Sequence, residues 1–313
     1  MLSALPALDI RDLIVTYGDH IAVAGLNLTA DRGKITAIVG PNGAGKTSTI
    51  EVCEGYRLAT SGRVRIFGLD PRTDSRALRP RIGVMLQSGG VPSGAKPLET
   101  LRHMARMYAR PLDPDVLAER MGLTDITTTY RRMSGGEQQR LKFAISIIGR
   151  PDLVFLDEPT VGLDPEAKRD VRSIIEDLRT AGTSVVLTTH LMDDVEQLAD
   201  HVAVVSAGKV VATGTPATLR QSQPGAISFA ATSGLDLSAL KVTLGDAVDL
   251  RETGPGRYVA TGAINSAALA GIASWCASEN VALTDLTMGH QALEDAVISL
   301  TTTAQNAAPE TSS

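Results

Sequence analysis

Gly40-Pro41-Asn42-Gly43-Ala44-Gly45-Lys46-Thr47, with Ser48 behind it, is the stretch that decides the fold. It matches G-x-x-x-x-G-K-[ST], and its flanks are those the pattern needs: a short apolar, β-branched run at 35–39 before it and a helical pattern at 46–54 after it. Glycines let successive backbone N–H groups curl around phosphate oxygens, and the N-terminus of the following helix adds roughly half a positive charge. Lys46 is then placed to reach β- and γ-phosphates, and the Thr47 hydroxyl to ligate Mg²⁺. The same alternation recurs downstream. Apolar runs at 153–156, 184–188 and 201–206 are of the kind buried inside a parallel sheet, and helical patterns follow at 165–180 and 192–199. The expected fold is therefore α/β with a mostly parallel sheet. A mainly helical segment at about 90–149 interrupts it, with a 3.6-residue period at 98–108.

The run at 153–156 ends in two adjacent carboxylates, Asp157 and Glu158. A strand alternates its side chains, so the two acids point to different sides and take different roles. Asp157 suits a Mg²⁺ shell as a hard oxygen ligand, and Glu158 is placed to orient or deprotonate a water attacking the γ-phosphate.

Composition bounds the rest. The 313 residues carry 30 Lys and Arg against 35 Asp and Glu, a formal net charge of -5, with 43% hydrophobic residues. That is an ordinary globular balance, and its acidity argues against a dedicated nucleic-acid binder. Cys53 and Cys276 stand too far apart for a metal or disulfide framework and read as two reduced, buried thiols. The N-terminus shows no signal-peptide pattern, which predicts a cytoplasmic protein. Residues 258–278 contain no charge and have the length to span a bilayer, but Thr261, Gly262, Asn265, Ser266 and Ser274 interrupt them. They read as a strand followed by a helix. From the polar hinge at 221–225 onward a small α+β domain is expected over 221–302. Its strands are expected at 227–231, 242–244, 248–252, 257–261 and 281–286, and its helices at 266–279 and 291–300. A disordered Ala/Pro/Ser/Thr-rich tail is expected at 303–313.

Met133-Ser134-Gly135-Gly136-Glu137 supplies a second anion site, a hydroxyl and unshielded amides at a helix N-terminus. With this segment the chain resembles the ATP-binding cassette (ABC) ATPases, although MSGGE stands where LSGGQ is commoner. The resemblance covers residues 9–220 and implies a P-loop cassette with a helical subdomain. It implies that Tyr17 stacks on adenine and that Gln87 senses Mg²⁺ and the attacking water. Asp164, in Val161-Gly-Leu-Asp164, matches the loop after the Asp-Glu strand, with Val161 replacing the usual Ser. His190 matches the histidine that contacts the γ-phosphate.

The implied mechanism is a head-to-tail pair of cassettes. Each ATP lies between the phosphate loop of one and Ser134-Gly-Gly of the other, and the pairing is homodimeric or heterodimeric. Separate membrane permease subunits are expected near Gln87 and the helical segment, holding the chain on the inner face of the membrane. The ending, 285–297, is similar to the tail of bacterial drug- and antibiotic-resistance exporter ATPases of the daunorubicin-resistance type. The alternative is a soluble ATPase of the same family acting in cofactor assembly or on ribosomes or DNA. A single cassette, the absence of sustained heptads between Gln87 and Ser134, and the extra C-terminal domain favour transport, and the resemblance of the tail implies export rather than import.

Overall fold

The computed structural model describes residues 5–86, 89–221, 225–245, 247–290 and 293–306. The chain opens with β1 (Leu8–Tyr17), β2 (His20–Ala30), β3 (Ile35–Val39), α1 (Lys46–Cys53), β4 (Ser61–Ile66), α2 (Ser75–Leu78) and β5 (Ile82–Met85). A helical segment follows: α3 (Pro97–Ala105), α4 (Pro114–Arg120), a 3₁₀ turn at Tyr130–Arg132 and α5 (Gly135–Ile147). Next come β6 (Leu153–Asp157), α6 (Pro165–Thr180), β7 (Ser184–Thr189), α7 (Met192–Leu198), β8 (His201–Ser206) and β9 (Lys209–Gly214). The last part holds α8 (Pro216–Gln221), β10 (Gly225–Ala230), α9 (Ser238–Leu244), β11 (Val248–Gly254), β12 (Arg257–Gly262), α10 (Ser266–Ser278), β13 (Thr284–His290) and α11 (Leu293–Asn306).

Six strands form the central sheet in the order β5-β6-β7-β3-β8-β9, parallel throughout except for the β8–β9 hairpin. Strands β3, β6 and β7 have every residue buried, because helices or a second sheet cover both faces. That is why they read as unbroken apolar runs. The second sheet, antiparallel with order β2-β1-β4, packs with α1 against it: Leu8, Ile10 and Leu26 share one core with Ile38, Phe155 and Ile50. Each such side chain contributes about 1.5–3 kcal/mol on burial. Parallel strands open their C-terminal ends at one edge of the sheet, so the loops after β3, β6 and β7 converge there.

The chain divides into two compact units, Met1–Pro216 with Ser299–Ser313, and Ala217–Ile298. The end of α11 therefore counts with the first unit, where Ser206 Oγ donates to the Thr301 carbonyl at 3.3 Å. The second unit is a four-stranded antiparallel sheet, β11-β12-β10-β13, with Ile227, Phe229, Tyr258 and Leu250 in one core with Leu240, Ile272 and Trp275. Residues 258–278 divide between β12 and α10, whose apolar face is Ala268, Ile272, Trp275 and Cys276 at helical spacing. No helix among the described residues is long and apolar enough to cross a membrane. Cys53 and Cys276 are both buried free thiols.

Three expectations are corrected. Residues 242–244 are the end of helix α9, not a strand: Leu237, Leu240 and Leu244 recur at helical spacing against the core, while Val242 is 84% exposed. The strand expected at 281–286 starts at Thr284, since Val281 and Leu283 pack into the core from the connection before it. The chain stays helical to Asn306, past the expected start of a tail at 303; residues 307–313 lie outside the described residues. The α9 correction is testable. Leu240→Ala should cost about 2–5 kcal/mol in denaturant unfolding of this unit. Val242→Ala should change it by no more than about 0.5 kcal/mol, whereas a large loss there would restore the strand.

Candidate active site

The loop after β3 is shaped by close backbone approaches. A Cβ on Gly45, at φ +98°, would sit 2.4 Å from the Ala22 carbonyl oxygen, and one on Gly40 would sit 2.1 Å from that of Val205. Only glycine fits either place. Helix α1 then begins at Lys46, whose side chain is 7% exposed. Its Nζ donates to the carbonyls of Gly40 (2.8 Å) and Pro41 (2.9 Å). Burial lowers the Lys46 pKa, and the charges of Glu158 and Asp157 oppose that shift.

Strand β6 delivers the two carboxylates. Asp157 Oδ1 accepts from the Thr188 hydroxyl on β7, and Oδ2 accepts from Thr47 Oγ1 at 3.4 Å. Burial raises the Asp157 pKa, the Thr188 hydroxyl lowers it, and the adjacent Glu158 charge raises it again. Glu158 turns off the strand at φ +50°, a conformation that bulky residues rarely adopt unless their surroundings hold them. Here they do. Its N–H bonds to the Thr188 carbonyl (3.1 Å) and lies 3.2 Å from the Thr188 hydroxyl, and its carbonyl accepts from Gln139 Nε2 of α5 (2.7 Å). Its carboxylate Oε1 lies 2.9 Å from His190 Nδ1, in the loop after β7.

These groups face a cleft of about 520 Å³. Lys46, Thr47, Asp157, Glu158 and His190 line it, as do Tyr17, Asn42, Gly43, Gly45 and Ser48. His20 and Ala22 line it as well, and sequence reading missed both because the β1–β2 hairpin carries no motif. Thr188 and Gln139 were missed too: Thr188 ends the apolar run 184–188 and Gln139 stands two residues past the Ser134–Glu137 segment, but the role of each depends on a partner 19 to 31 residues away. Gly40 and Ala44 shape the loop without lining the cleft. Gln87 lies outside the described residues.

Ser134, Gly135, Gly136, Glu137 and Asp164 are not brought to this cleft in one chain. Ser134 caps α5 in a reciprocal box: Glu137 N donates to its hydroxyl (3.3 Å), and Ser134 N donates to the Glu137 carboxylate (2.7 Å). Asp164 caps α6 by accepting from Glu166 N and Ala167 N, and these bonds hold its carboxyl below the usual range. The two segments are neighbours, since a Cβ on Gly136 would lie 3.6 Å from the Gly162 carbonyl.

A second cleft, of about 640 Å³, opens between the core and the helical segment, with Leu78, Met104, Tyr108, Lys142 and Glu54 among its lining. Burial, with the charges of Asp157 and Glu51 behind it, pushes the Glu54 carboxyl up to about 8. A carboxyl that keeps its proton when folded but ionises near the ordinary value of 4.5 when unfolded makes stability fall as pH rises from there to about 8. Glu54→Gln removes that titration, so its melting temperature should gain on the parent steadily across this window and stay ahead above it. A gap independent of pH would show that Glu54 ionises normally.

The family model described as ABC transporter matches residues 23–161. A daunorubicin resistance ATP-binding protein of Streptomyces coeruleorubidus is 39% identical over 216 residues, 67% of this chain and 68% of that protein. A fluoroquinolones export ATP-binding protein of Mycobacterium tuberculosis is 38% identical over 201 residues, 64% of this chain and 67% of that protein. Among solved structures, an ATP-binding subunit of an ABC transporter superposes with a TM-score of 0.63 at 25% identity, covering 69% of this chain and 92% of the other.

Proposed function

Because the chain belongs to the ATP-binding proteins of the ABC transporter family, we propose that it is the ATP-hydrolysing engine of an exporter for drug- or antibiotic-like compounds. It works as a head-to-tail pair of cassettes, on the inner face of the membrane, with separate permease subunits that do the spanning. The convergence of Lys46, Thr47, Asp157, Glu158 and His190 on one cleft carries the hydrolytic reading. The names of the relatives, one for resistance to daunorubicin and one for export of fluoroquinolones, support the cargo class. The cleft beside α3 and α5, with exposed Tyr56 on its rim, supports a docking place for a permease segment.

The residues present fit Mg²⁺. Thr47 Oγ1 and an Asp157 carboxylate oxygen stand 3.4 Å apart as hard donors, and the crowding of Asp157 against Glu158 is what a cation relieves. Among the described residues no group of three or more His, Cys, Asp or Glu could hold a metal alone. That suits an ion bound by few protein ligands and completed by phosphate oxygens and water. When bound it neutralises charge on the β- and γ-phosphates.

The chain's own groups do the rest. Lys46 exchanges its two carbonyl partners for phosphate oxygens, a stronger charge-assisted pairing for a residue that is already nearly buried. Glu158 orients a water and takes its proton as the oxygen attacks the γ-phosphorus and the bond to the bridging oxygen breaks, giving ADP and phosphate. His190 steadies the Glu158 carboxylate and reaches the γ-phosphate. Ser134, Gly135, Gly136 and Asp164 of the facing cassette close the site. Loss of the γ-phosphate then opens the pair, so ATP acts through its preference for the closed state.

Glu158→Gln should bind ATP with the parent's affinity but hydrolyse it at least ~10²-fold more slowly, leaving a stable ATP-bound pair on gel filtration. Turnover at the parent rate would remove Glu158 from the water-positioning role. Mixing Ser134→Ala with Lys46→Ala provides the test of a shared site. Each variant alone lacks any complete site, while a mixed pair regains one of two, so the mixture should outperform the average of its components. A mixture no better than that average would place each site within a single chain.

A further inference from the structure

The aromatic ring at the mouth of the cleft is held from behind. Tyr17 is the last residue of β1, and its hydroxyl lies 3.0 Å from Ser48 Oγ and donates to Glu51 Oε2 at 3.3 Å. The same Glu51 oxygen accepts from Arg57 Nε at 2.7 Å. The Arg57 guanidinium carbon stands 4.1 Å from the centroid of the Tyr17 ring. One carboxylate therefore fixes both the phenol edge and the cation that covers the ring. Arg57 is tied back a second time, since its N–H and that of Tyr56 both donate to the Glu51 carbonyl (3.1 and 3.0 Å).

A ring has two faces, and the guanidinium takes one of them. Tyr17 lines the phosphate cleft whereas Arg57 does not, so the open face is the one turned to the cleft. A cation on one face draws π density toward itself and makes the other face a better partner for an electron-rich purine. The anchors are also well sited. Ser48 and Glu51 belong to α1, the helix that begins with Lys46 and Thr47, so the ring and the phosphate loop are referred to one rigid element.

We propose that Arg57 and Glu51 are positioning residues for the nucleotide base, holding the Tyr17 ring so that a purine stacks on the face the guanidinium leaves open. This rests on Tyr17 being the base-stacking aromatic. Neither residue lines the phosphate cleft, so their contribution is specific to the base and leaves triphosphate recognition alone.

The test compares two probes on the full chain: a non-hydrolysable ATP analogue, and inorganic tripolyphosphate, which has the phosphates and no base. Arg57→Ala and Glu51→Ala should each weaken the analogue about 2- to 5-fold, as loss of an exposed cation–π contact implies, with tripolyphosphate affinity unchanged. The KM for ATP should rise by the same factor while kcat moves less than twofold. Tyr17→Ala should weaken the analogue about 5-fold or more, again sparing tripolyphosphate. If Tyr17→Ala weakens the analogue and neither Arg57→Ala nor Glu51→Ala does, the supporting role is wrong and the stacking role stands. If Tyr17→Ala binds the analogue like the parent, the stacking role falls and takes the supporting role with it. Equal weakening of both probes in Arg57→Ala also overturns the proposal, because the residue would then be acting on the fold of α1 rather than on the base.

Discussion

A nearly buried ammonium held, among the described residues, by two carbonyls is the constraint on which the rest of the site depends. Lys46 is anchored to Gly40 and Pro41, and among the described residues no carboxylate bonds to it directly. Asp157 and Glu158 stand near enough to oppose its loss of charge, and Asp157 is itself crowded. Charges taken from water need partners, and here the partners are incomplete. A polyphosphate with a cation would supply what is missing on both sides, oxygens for the amine and positive charge for the acids. The glycines at 40 and 45 maintain this state, because any side chain there would drive the loop away from the Val205 and Ala22 carbonyls that seat it.

Much of this was legible in the sequence, and the reasons are specific. Residues 35–39, 153–157 and 202–206 announce themselves because a strand buried on both faces admits nothing but apolar side chains and threonine or serine until its last residue. Strands β1, β2 and β4 left no such trace. Their pairing shifts register between Ile10 and Leu13 and again beyond it, with Asp12 at φ +49°, so the alternation that marks a half-buried strand is broken. The misreading at 242–244 has a related cause: three residues rich in β-branched and apolar types cannot display a helical period, and the deciding residue, Leu240, lies just outside them. Motifs located Lys46, Thr47, Asp157, Glu158 and His190, but Thr188 and Gln139 acquire their roles only through tertiary proximity.

The second anion site behaves differently from the first. At Ser134 the hydroxyl and the Glu137 carboxylate satisfy one another's backbone amides, so the cap of α5 is held within the chain. This also shows why glutamate is tolerated where glutamine is commoner, since either side chain can accept from the cap amide.

Glu158 and His190 sit on different loops, and their 2.9 Å approach holds only if those loops keep their places. A buried tether behind them does this work. Asp194, 1% exposed on α7, accepts from the Thr160 hydroxyl two residues past Glu158, and its other oxygen accepts from Arg172 of α6. Arg172 reaches on to Gln197 at 2.8 Å. An ion pair so deep gains little over well-packed apolar side chains, but removing one partner strands the other charge in the interior. Its geometry is therefore hard to deform, and it joins the loop after β6 to the helix after β7 behind the cleft. The Glu158 carboxylate is thus backed by one hydrogen-bonded frame that runs from Gln139 of α5, through the strained turn at Glu158, to α6 and α7.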